Sequence, residues 1–294
     1  MKKGLYSILL VVTVLLSGMD FARSMGQKDT LRLSPTILRE RDRVRSSGLN
    51  YLTINAQGFK EFLNERDSSI LIEIPAGSFI MGSNDDKDRK PVHEVYLDKY
   101  FIGKYEVTNS QYKKYCDATG YPYPEDAKYS GMTAYFINYP NYPVVNVSWN
   151  EAKAYCDWAC LRLPTEAEWE KASRGTDGRN YPWGNSWDAS KCIKNIYEKG
   201  NQNTSPVGSI PAGISPYGVY DMAGNVWEWC NDWYGEKYYQ SSPCRNPTGP
   251  SSGSYRVLRG SSWLDIANNI GRFDYRGRGP QTECKNIFGF RITK

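Results

Sequence analysis

The sequence predicts an α+β fold that is rich in loops, and three observations lead to this prediction. Strand-like segments and short helices alternate from about residue 70 to residue 175. Beyond residue 175 almost no long periodic segment remains. Residues 176–255 are rich in Gly, Pro, Asn and Ser but also contain many Trp and Tyr, which disordered segments lack. We therefore expect ordered loops that aromatic side chains hold in place.

The first strands are predicted directly after residue 70. The segment "ILIEIPAGSFIMGS" indicates a strand, a Pro-Ala-Gly turn and a second strand. Strand-like alternation continues through "VHEVYLDKYFIGKYEV", and near the C-terminus "YRVLRGSSW" and "IFGFRIT" predict closing strands. Because no repeat of fixed period is visible, we expect one domain from about residue 70 to residue 292.

Three helices are predicted by one N-terminal signal, the capping box. In this motif a hydroxyl accepts a hydrogen bond from the amide three residues later, and the side chain of that later residue returns to the cap amide. The pairs are Thr108 with Gln111, Ser148 with Glu151, and Thr165 with Glu168. The first helix should end near Gly120 and the third near Gly175. We interpret Glu166, Glu168 and Glu170 as capping and salt-bridge residues rather than acid–base catalysts.

Two N-terminal segments are expected to precede the domain. Residues 1–24 have the features of a secretory signal peptide, with Lys2 and Lys3, a short apolar run and a cleavage site near Ser24; an uncleaved anchor is the alternative. We therefore expect an exported protein that is periplasmic, at the cell surface or secreted, with no membrane span after signal cleavage. Residues 25–69 form an N-terminal arm, in which "SPTILRERDRVRSS" and "AQGFKEFLNERD" predict two helices.

Charge and residue counts exclude several classes of function. The formal net charge is +5, and about +3 remains without residues 1–24, which is too little to indicate a nucleic-acid partner. The single histidine, His93, excludes a three-histidine metal site and lies in a strand-like run that does not favour a catalytic triad. Seven cysteines permit disulfides in an exported protein, and the odd count leaves at least one thiol without an intramolecular partner.

A set of motifs in fixed order resembles the formylglycine-generating enzyme, or sulfatase-modifying factor, family. The motifs are "IPAGSFIMGS", "KYEVTNSQY", "PVVNVSWNEAKAYCDWACLRLPTEAEWEKASRG", "YPWGN", "SPYGVYDMAGNVWEWCNDWY", "YRVLRGSSW" and "FGFR". The resemblance covers roughly residues 70–292. It implies a C-type-lectin-like fold with little regular secondary structure and with bound calcium.

The founding activity of this family oxidises a sulfatase cysteine to formylglycine with oxygen and copper, and the resemblance places two copper-binding cysteines after the "RGSSW" strand. Here Asp265 and Ile270 stand about where those cysteines are expected, and the first later cysteine is the single Cys284. A lone distant thiol does not reproduce a two-thiolate Cu(I) site. We therefore expect no copper and no classical formylglycine generation. An accessory or binding protein is the first interpretation, and a divergent formylglycine-generating oxidase or another oxidative maturation enzyme is the alternative.

The resemblance also implies a structural calcium at "DMAGNVWEW". Asn225 and Glu228 offer side-chain oxygens, and the Val226 carbonyl lies between them. The alternative is a turn held by Asn225, with Glu228 in a salt bridge. Trp227 and Trp229 in the same segment are interpreted as core anchors.

The C-terminal stretch "RGSSWLDIANNIGRFDYRGRG" is the predicted binding face. Arginine and aromatic residues are the side chains found most often at binding hot spots. The candidate ligand-binding residues are Trp263, Asp265, Phe273, Tyr275, Arg276 and Arg278. The ligand would be a protein, a peptide or a glycan. Scaffolding is the alternative for the arginines, because a buried guanidinium can hold several loop carbonyls.

Overall fold

The structure is a computed structural model that describes residues 48–193, 203–265, 272 and 274–294. The predicted signal peptide and residues 25–47 of the predicted arm, with the helix predicted over "SPTILRERDRVRSS", therefore lie outside the described residues. Within the described part of the chain, no helix is long and apolar enough to cross a membrane.

The first sheet consists of the strands β1 (Leu49–Ile54), β2 (Lys60–Asn64), β3 (Ile70–Ile74) and β6 (Tyr100–Gly103). They lie side by side in the order β1-β2-β3-β6, and all neighbouring strands are antiparallel. A second, two-stranded sheet pairs β4 (Gly77–Met81) with β5 (His93–Leu97). The strands predicted from residue 70 onward are thus confirmed.

The helix predicted over "AQGFKEFLNERD" is wrong, because this segment forms a turn followed by β2. Gly58, at φ 87°, closes the turn between β1 and β2, and its amide donates to the Asn55 carbonyl at 3.0 Å. Residues 61–63 then pair with residues 70–72 of β3. Pairing with two neighbouring strands outweighs the weak helical spacing of the apolar residues.

The third sheet is formed by strands from the C-terminal part of the chain, β7 (Trp227–Trp233), β8 (Arg256–Arg259), β9 (Gly277–Gly279) and β10 (Phe288–Gly289). They lie side by side in the order β10-β7-β8-β9. The strand β10 runs parallel to β7, whereas the other pairs are antiparallel. Both predicted closing strands are present, as β8 and β10.

Among the described residues, four α-helices and four short 3₁₀ turns connect the sheets. The helices are α1 (Asn109–Thr119), α2 (Tyr135–Asn138), α3 (Trp149–Trp158) and α4 (Glu166–Arg174), and the 3₁₀ turns are Lys87–Arg89, Ala189–Lys191, Pro211–Gly213 and Tyr238–Gln240. All three predicted capping boxes form, at the N-termini of α1, α3 and α4. The predicted ends of α1 at Gly120 and of α4 at Gly175 are confirmed.

The helix α4 lies in the main core, which draws on all three sheets. The core includes Ile72 from the first sheet, Val95 from the second, Val257 from the third and Trp169 from α4. Every residue of α4 is buried, including its charged ones. Trp227 and Trp229 are also buried, as the core interpretation predicted.

Candidate functional site

The C-terminal segment is tied to α4 by two buried ion pairs. Arg276 donates to Glu166 through Nε at 2.7 Å and through Nη2 at 2.9 Å. Arg259 donates to Glu170 at 2.5 Å, and both side chains are fully buried. A guanidinium that pairs with a carboxylate in this way fixes both position and orientation. The predicted salt-bridge role of the α4 glutamates is thus confirmed, and Glu168 pairs with Arg162 as well.

Two of the predicted ligand-binding residues lie inside the protein. Arg276 is 7% exposed and also donates to the Asp88 and Gly235 carbonyls, so the scaffolding alternative describes it. Trp263 is 7% exposed as well, and its ring meets that of Tyr129 edge-on at 5.6 Å. Because their surfaces face protein atoms, neither residue contributes much area to an exposed face.

The other predicted residues lie nearer the surface. Tyr275 is 36% exposed and contacts Trp227, with ring centroids 5.6 Å apart. Arg278 is exposed on β9. Asp265 is half-buried and accepts hydrogen bonds from the amide and hydroxyl of Ser262, so it closes a turn. Phe273 lies outside the described residues.

Three tyrosines that sequence reasoning missed connect the buried and exposed arginines. The rings and guanidiniums alternate in the order Tyr239, Arg276, Tyr234, Arg278, Tyr255, which we call the Tyr–Arg ladder. The ring-to-guanidinium distances are 4.5, 4.8, 4.7 and 5.8 Å along this order. Each such contact is attractive, because the negative ring face meets a cation. The ladder joins residues that follow β7, the residue before β8, Arg276 directly before β9 and Arg278 within β9, so no local sequence pattern indicates it.

The predicted calcium ligands are engaged with protein partners. Glu228 is fully buried and receives two hydrogen bonds from Arg291, Nε to Oε2 at 2.5 Å and Nη2 to Oε1 at 2.6 Å. Trp169 Nε1 donates to the same carboxylate at 2.8 Å. Asn225 adopts φ 64°, and its side-chain oxygen accepts the Ser205 amide at 3.0 Å.

These contacts reproduce the alternative given for this segment, a turn at Asn225 with Glu228 in a salt bridge. A cation at Glu228 would have to compete with Arg291 and Trp169 for the carboxylate oxygens. The side-chain oxygens of Asn225 and Glu228, as arranged, are therefore not a ready calcium ligand set. Calcium at this place stays a prediction from the sequence.

Two further buried carboxylates lie near Glu228 and Arg291. Glu106 accepts from Asn225 Nδ2 at 2.6 Å, and Asp221 accepts from the Gly208 amide at 2.7 Å. Burial, together with the neighbouring Asp221 and Glu228 carboxylates, raises the pKa of Glu106 well above its ordinary value. Burial raises the pKa of Asp221 from 3.8 to about 6, although the Gly208 amide and Arg291 oppose the shift.

The raised pKa of Asp221 predicts a pH-dependent stability effect. The folded state holds this proton more tightly than the unfolded chain, so the stability present below pH 3.8 is lost as the pH rises toward about 6. Asp221→Asn should therefore raise the free energy of unfolding at pH 8 by about 1–3 kcal/mol. The gain should shrink toward zero as the pH falls from 6 to 4. Asparagine also tolerates the φ of 58° at this position.

Urea unfolding at pH 4, 6 and 8 measures this difference. Asp117→Asn is the matched control, because Asp117 is exposed on α1 and its pKa is lowered by its contact with Lys113. This control should bring no stabilisation at pH 8. An Asp221→Asn variant whose stability parallels that of the wild type at all three pH values would contradict the prediction.

The cysteines do not supply the donor set that copper requires. The sequence contains no cysteine between Cys244 and Cys284. Cys284 carries a free thiol that donates to Glu151 at 3.4 Å, and burial together with this carboxylate raises its pKa to about 11. Cys230, beside the core tryptophans, is also a free thiol, fully buried, and burial raises its pKa well above the ordinary value. Cu(I) in this family is expected on a pair of thiolates, and the stretch between Cys244 and Cys284 supplies no such pair.

Short capped helices, small sheets and long ordered loops define a loop-rich α+β domain, as predicted. A family profile, the sulfatase-modifying factor enzyme 1-like domain, matches residues 59–294. The chain belongs to this family, and its fold is the formylglycine-generating-enzyme fold that the motifs predicted.

Three similar proteins illustrate the breadth of the family. The formylglycine-generating enzyme of Streptomyces coelicolor is 35% identical to this chain in an alignment that covers 75% of this chain and 87% of that protein. The serine/threonine-protein kinase pkn1 of Chlamydia caviae is 35% identical over 86% of this chain, but the chain spans only 44% of that protein's length. The solved structure of PvdO from Pseudomonas aeruginosa superposes with a TM-score of 0.69 at 26% identity, covering 79% of this chain and 97% of that one.

Proposed function

We propose that this protein is an exported binding or accessory member of the family that does not generate formylglycine. Its ligand would be a protein, a peptide or a glycan, contacted through the C-terminal face. The observation that carries the proposal is the absence of any cysteine from residue 245 to residue 283, the stretch in which the family resemblance places the copper pair. Export is expected from residues 1–24, which carry the features of a signal peptide.

The chemistry of the residues at the expected copper positions supports this proposal. Asp265 offers a hard carboxylate oxygen where a soft thiolate is needed, and that carboxylate already accepts two hydrogen bonds from Ser262. Cys284, the first cysteine after this stretch, contacts Glu151 and has no second cysteine within residues 245–283 with which to form a pair.

The exposed part of the C-terminal face supports a role in recognition. Tyr255 is 44% exposed and Tyr275 is 36% exposed. Arg278 is exposed as well, and its guanidinium lies 5.8 Å from the Tyr255 ring. Tyrosine and arginine give large contact areas and directional hydrogen bonds, and they are enriched where binding energy concentrates.

The first test is an activity assay. We expect the purified protein, incubated with Cu(I), oxygen and a Cys-x-Pro-x-Arg peptide, to leave the peptide cysteine unchanged by mass spectrometry. A formylglycine-generating enzyme of the family, assayed in parallel, should convert the same peptide. Conversion by this protein at a comparable rate would overturn the proposal.

The second candidate function is an oxidative maturation enzyme that acts on an exported protein or a metabolite. The observation that favours it is the 35% identity to a formylglycine-generating enzyme over most of that enzyme's length. A divergent formylglycine-generating enzyme would give a positive result in the same assay. Fold likeness alone does not decide between the candidates, because one fold hosts many functions.

A further inference from the structure

One arginine of the C-terminal face differs from its neighbours in its electrostatic environment. Among the described residues from 256 to 294, four arginines lie within ion-pair distance of a carboxylate, namely Arg259, Arg272, Arg276 and Arg291. Arg278 has no carboxylate within 4 Å among the described residues, although it is exposed. Arg256 shares this lack of an acid, but its guanidinium lies between the Trp149 and Trp233 rings at 3.7 and 3.6 Å.

The surroundings of Arg278 restrict its guanidinium. The ring of Tyr234 lies 4.7 Å from it and that of Tyr255 lies 5.8 Å from it. Tyr234 is itself fixed, because its hydroxyl donates to Asp88 at 2.9 Å and its amide donates to the Tyr255 carbonyl at 2.8 Å. A guanidinium restricted by its neighbours loses less conformational entropy when it binds a ligand.

We propose that Arg278 recognises a carboxylate on a protein or peptide partner, as the polar centre of the binding face under "Proposed function", on which this inference rests. Contacts with tyrosine rings use the faces of a guanidinium and leave the N–H groups in its plane for hydrogen bonds. Two parallel N–H groups match the two oxygens of a carboxylate.

The distribution of charge on the C-terminal face favours a carboxylate over a phosphate group as the ligand of Arg278. Arg276, the next cation in the Tyr–Arg ladder, is neutralised by Glu166, and Arg272 pairs with both Asp85 and Asp274. One uncompensated cation matches one carboxylate, whereas phosphate recognition commonly uses a cluster of arginines. The exposed rings of Tyr255 and Tyr275 supply apolar contact area beside the acid, which suits a peptide.

The test is a selection of peptides followed by a comparison of variants. Random 12-residue peptides displayed on phage are selected on the purified wild-type protein, and the most enriched peptide is synthesised with a fluorescent label. Anisotropy titrations then give its dissociation constant for the wild type and for two variants. We expect the enriched peptides to share an Asp or Glu, and Arg278→Ala to weaken binding at least tenfold.

Arg245→Ala is the matched control for this measurement. Arg245 is also exposed and lies over a tyrosine ring, Tyr96 at 4.6 Å, but it has its own acid partner in Asp98 at 2.5 Å. We expect Arg245→Ala to bind the peptide as the wild type does. Replacing the shared acid of the peptide with its amide should weaken wild-type binding about as much as Arg278→Ala, with little further loss when both changes are combined.

The remaining outcomes separate failure of this inference from failure of the proposed function. The selected peptides could bind Tyr275→Ala more weakly than the wild type and yet bind Arg278→Ala as tightly as the wild type. This result would support the binding face but refute the role of Arg278. The shared acid of the peptide can also be replaced with phosphoserine. If the phosphoserine peptide binds tenfold more tightly than the original peptide, the carboxylate assignment is refuted. If selection yields no peptide, or only peptides insensitive to both substitutions, the peptide-binding face itself is refuted and this inference with it.

Discussion

Replacing Arg291 with methionine should lower the free energy of unfolding by about 3–5 kcal/mol, the range seen when a buried ion pair loses one partner. Arg291 and Glu228 are both fully buried and share two hydrogen bonds. The guanidinium also donates to the Gly103 and Tyr220 carbonyls. Without it, the Glu228 carboxylate would stay buried without a cation, close to the carboxylates of Glu106 and Asp221.

Urea denaturation of Arg291→Met beside Glu228→Gln and the double variant tests this expectation. Glu228→Gln should cost less than Arg291→Met, because Glu106 and Asp221 still interact favourably with the guanidinium. The double variant should recover part of the loss, since it leaves neither charge of this pair behind. Arg245→Ala serves as the surface control, because its ion pair is more than half exposed on both sides and such pairs contribute about 0–1 kcal/mol. A loss for Arg291→Met no larger than that for Arg245→Ala would refute the expectation.

Arg276→Ala should destabilise the protein by about 2–4 kcal/mol, whereas Arg278→Ala should change stability by less than about 0.5 kcal/mol. The difference follows from position, since Arg276 is 7% exposed and Arg278 is exposed. Burial alone would raise the pKa of Glu166, but the Arg276 and Arg259 guanidiniums outweigh it and lower that pKa. Removing Arg276 therefore leaves a buried carboxylate with only Arg259, at 3.7 Å, as a nearby cation.

The pH dependence of this effect provides a second check. A lowered carboxyl pKa gives stability that is present above the ordinary pKa of 4.5 and is lost as the pH falls below it. The destabilisation by Arg276→Ala should therefore be largest near pH 7 and should decrease below pH 4.5. Thermal unfolding of both alanine variants at pH 4 and pH 7 measures this. Equal melting temperatures for the two variants at pH 7 would show that Arg276 does not anchor the C-terminal segment.

The helices were predictable because their signals are local. Thr108, Ser148 and Thr165 each satisfy backbone amides within three residues, so the capping boxes need no tertiary information. The same holds for the left-handed Gly120 that ends α1. The strand β2 was not predictable in this way, since its conformation depends on pairing with β1 and β3.

The arrangement of the C-terminal face was only partly predictable, for a related physical reason. An Arg-rich and Tyr-rich stretch identifies a region, but local sequence does not tell which arginine will meet a carboxylate from α4. Arg276 and Arg278 are two residues apart, yet the first is buried against Glu166 and the second is exposed. The acid partner of Arg276 is 110 residues away in the sequence. The ring partners of Arg278 likewise come from the loop after β7 and from the residue before β8.

The burial of α4 has a consequence for the order in which the chain can fold during synthesis. Its capping box allows this helix to begin early, but the counter-ions of Glu166 and Glu170 come from residues 110 and 89 positions later. The partner of Glu228, Arg291, is likewise synthesised 63 residues later. Until those arginines leave the ribosome, the acidic side chains must stay in water, so the core around Trp169 cannot close. Contacts of such long sequence separation form slowly, and a chain cut short before β8 would lack all three cations.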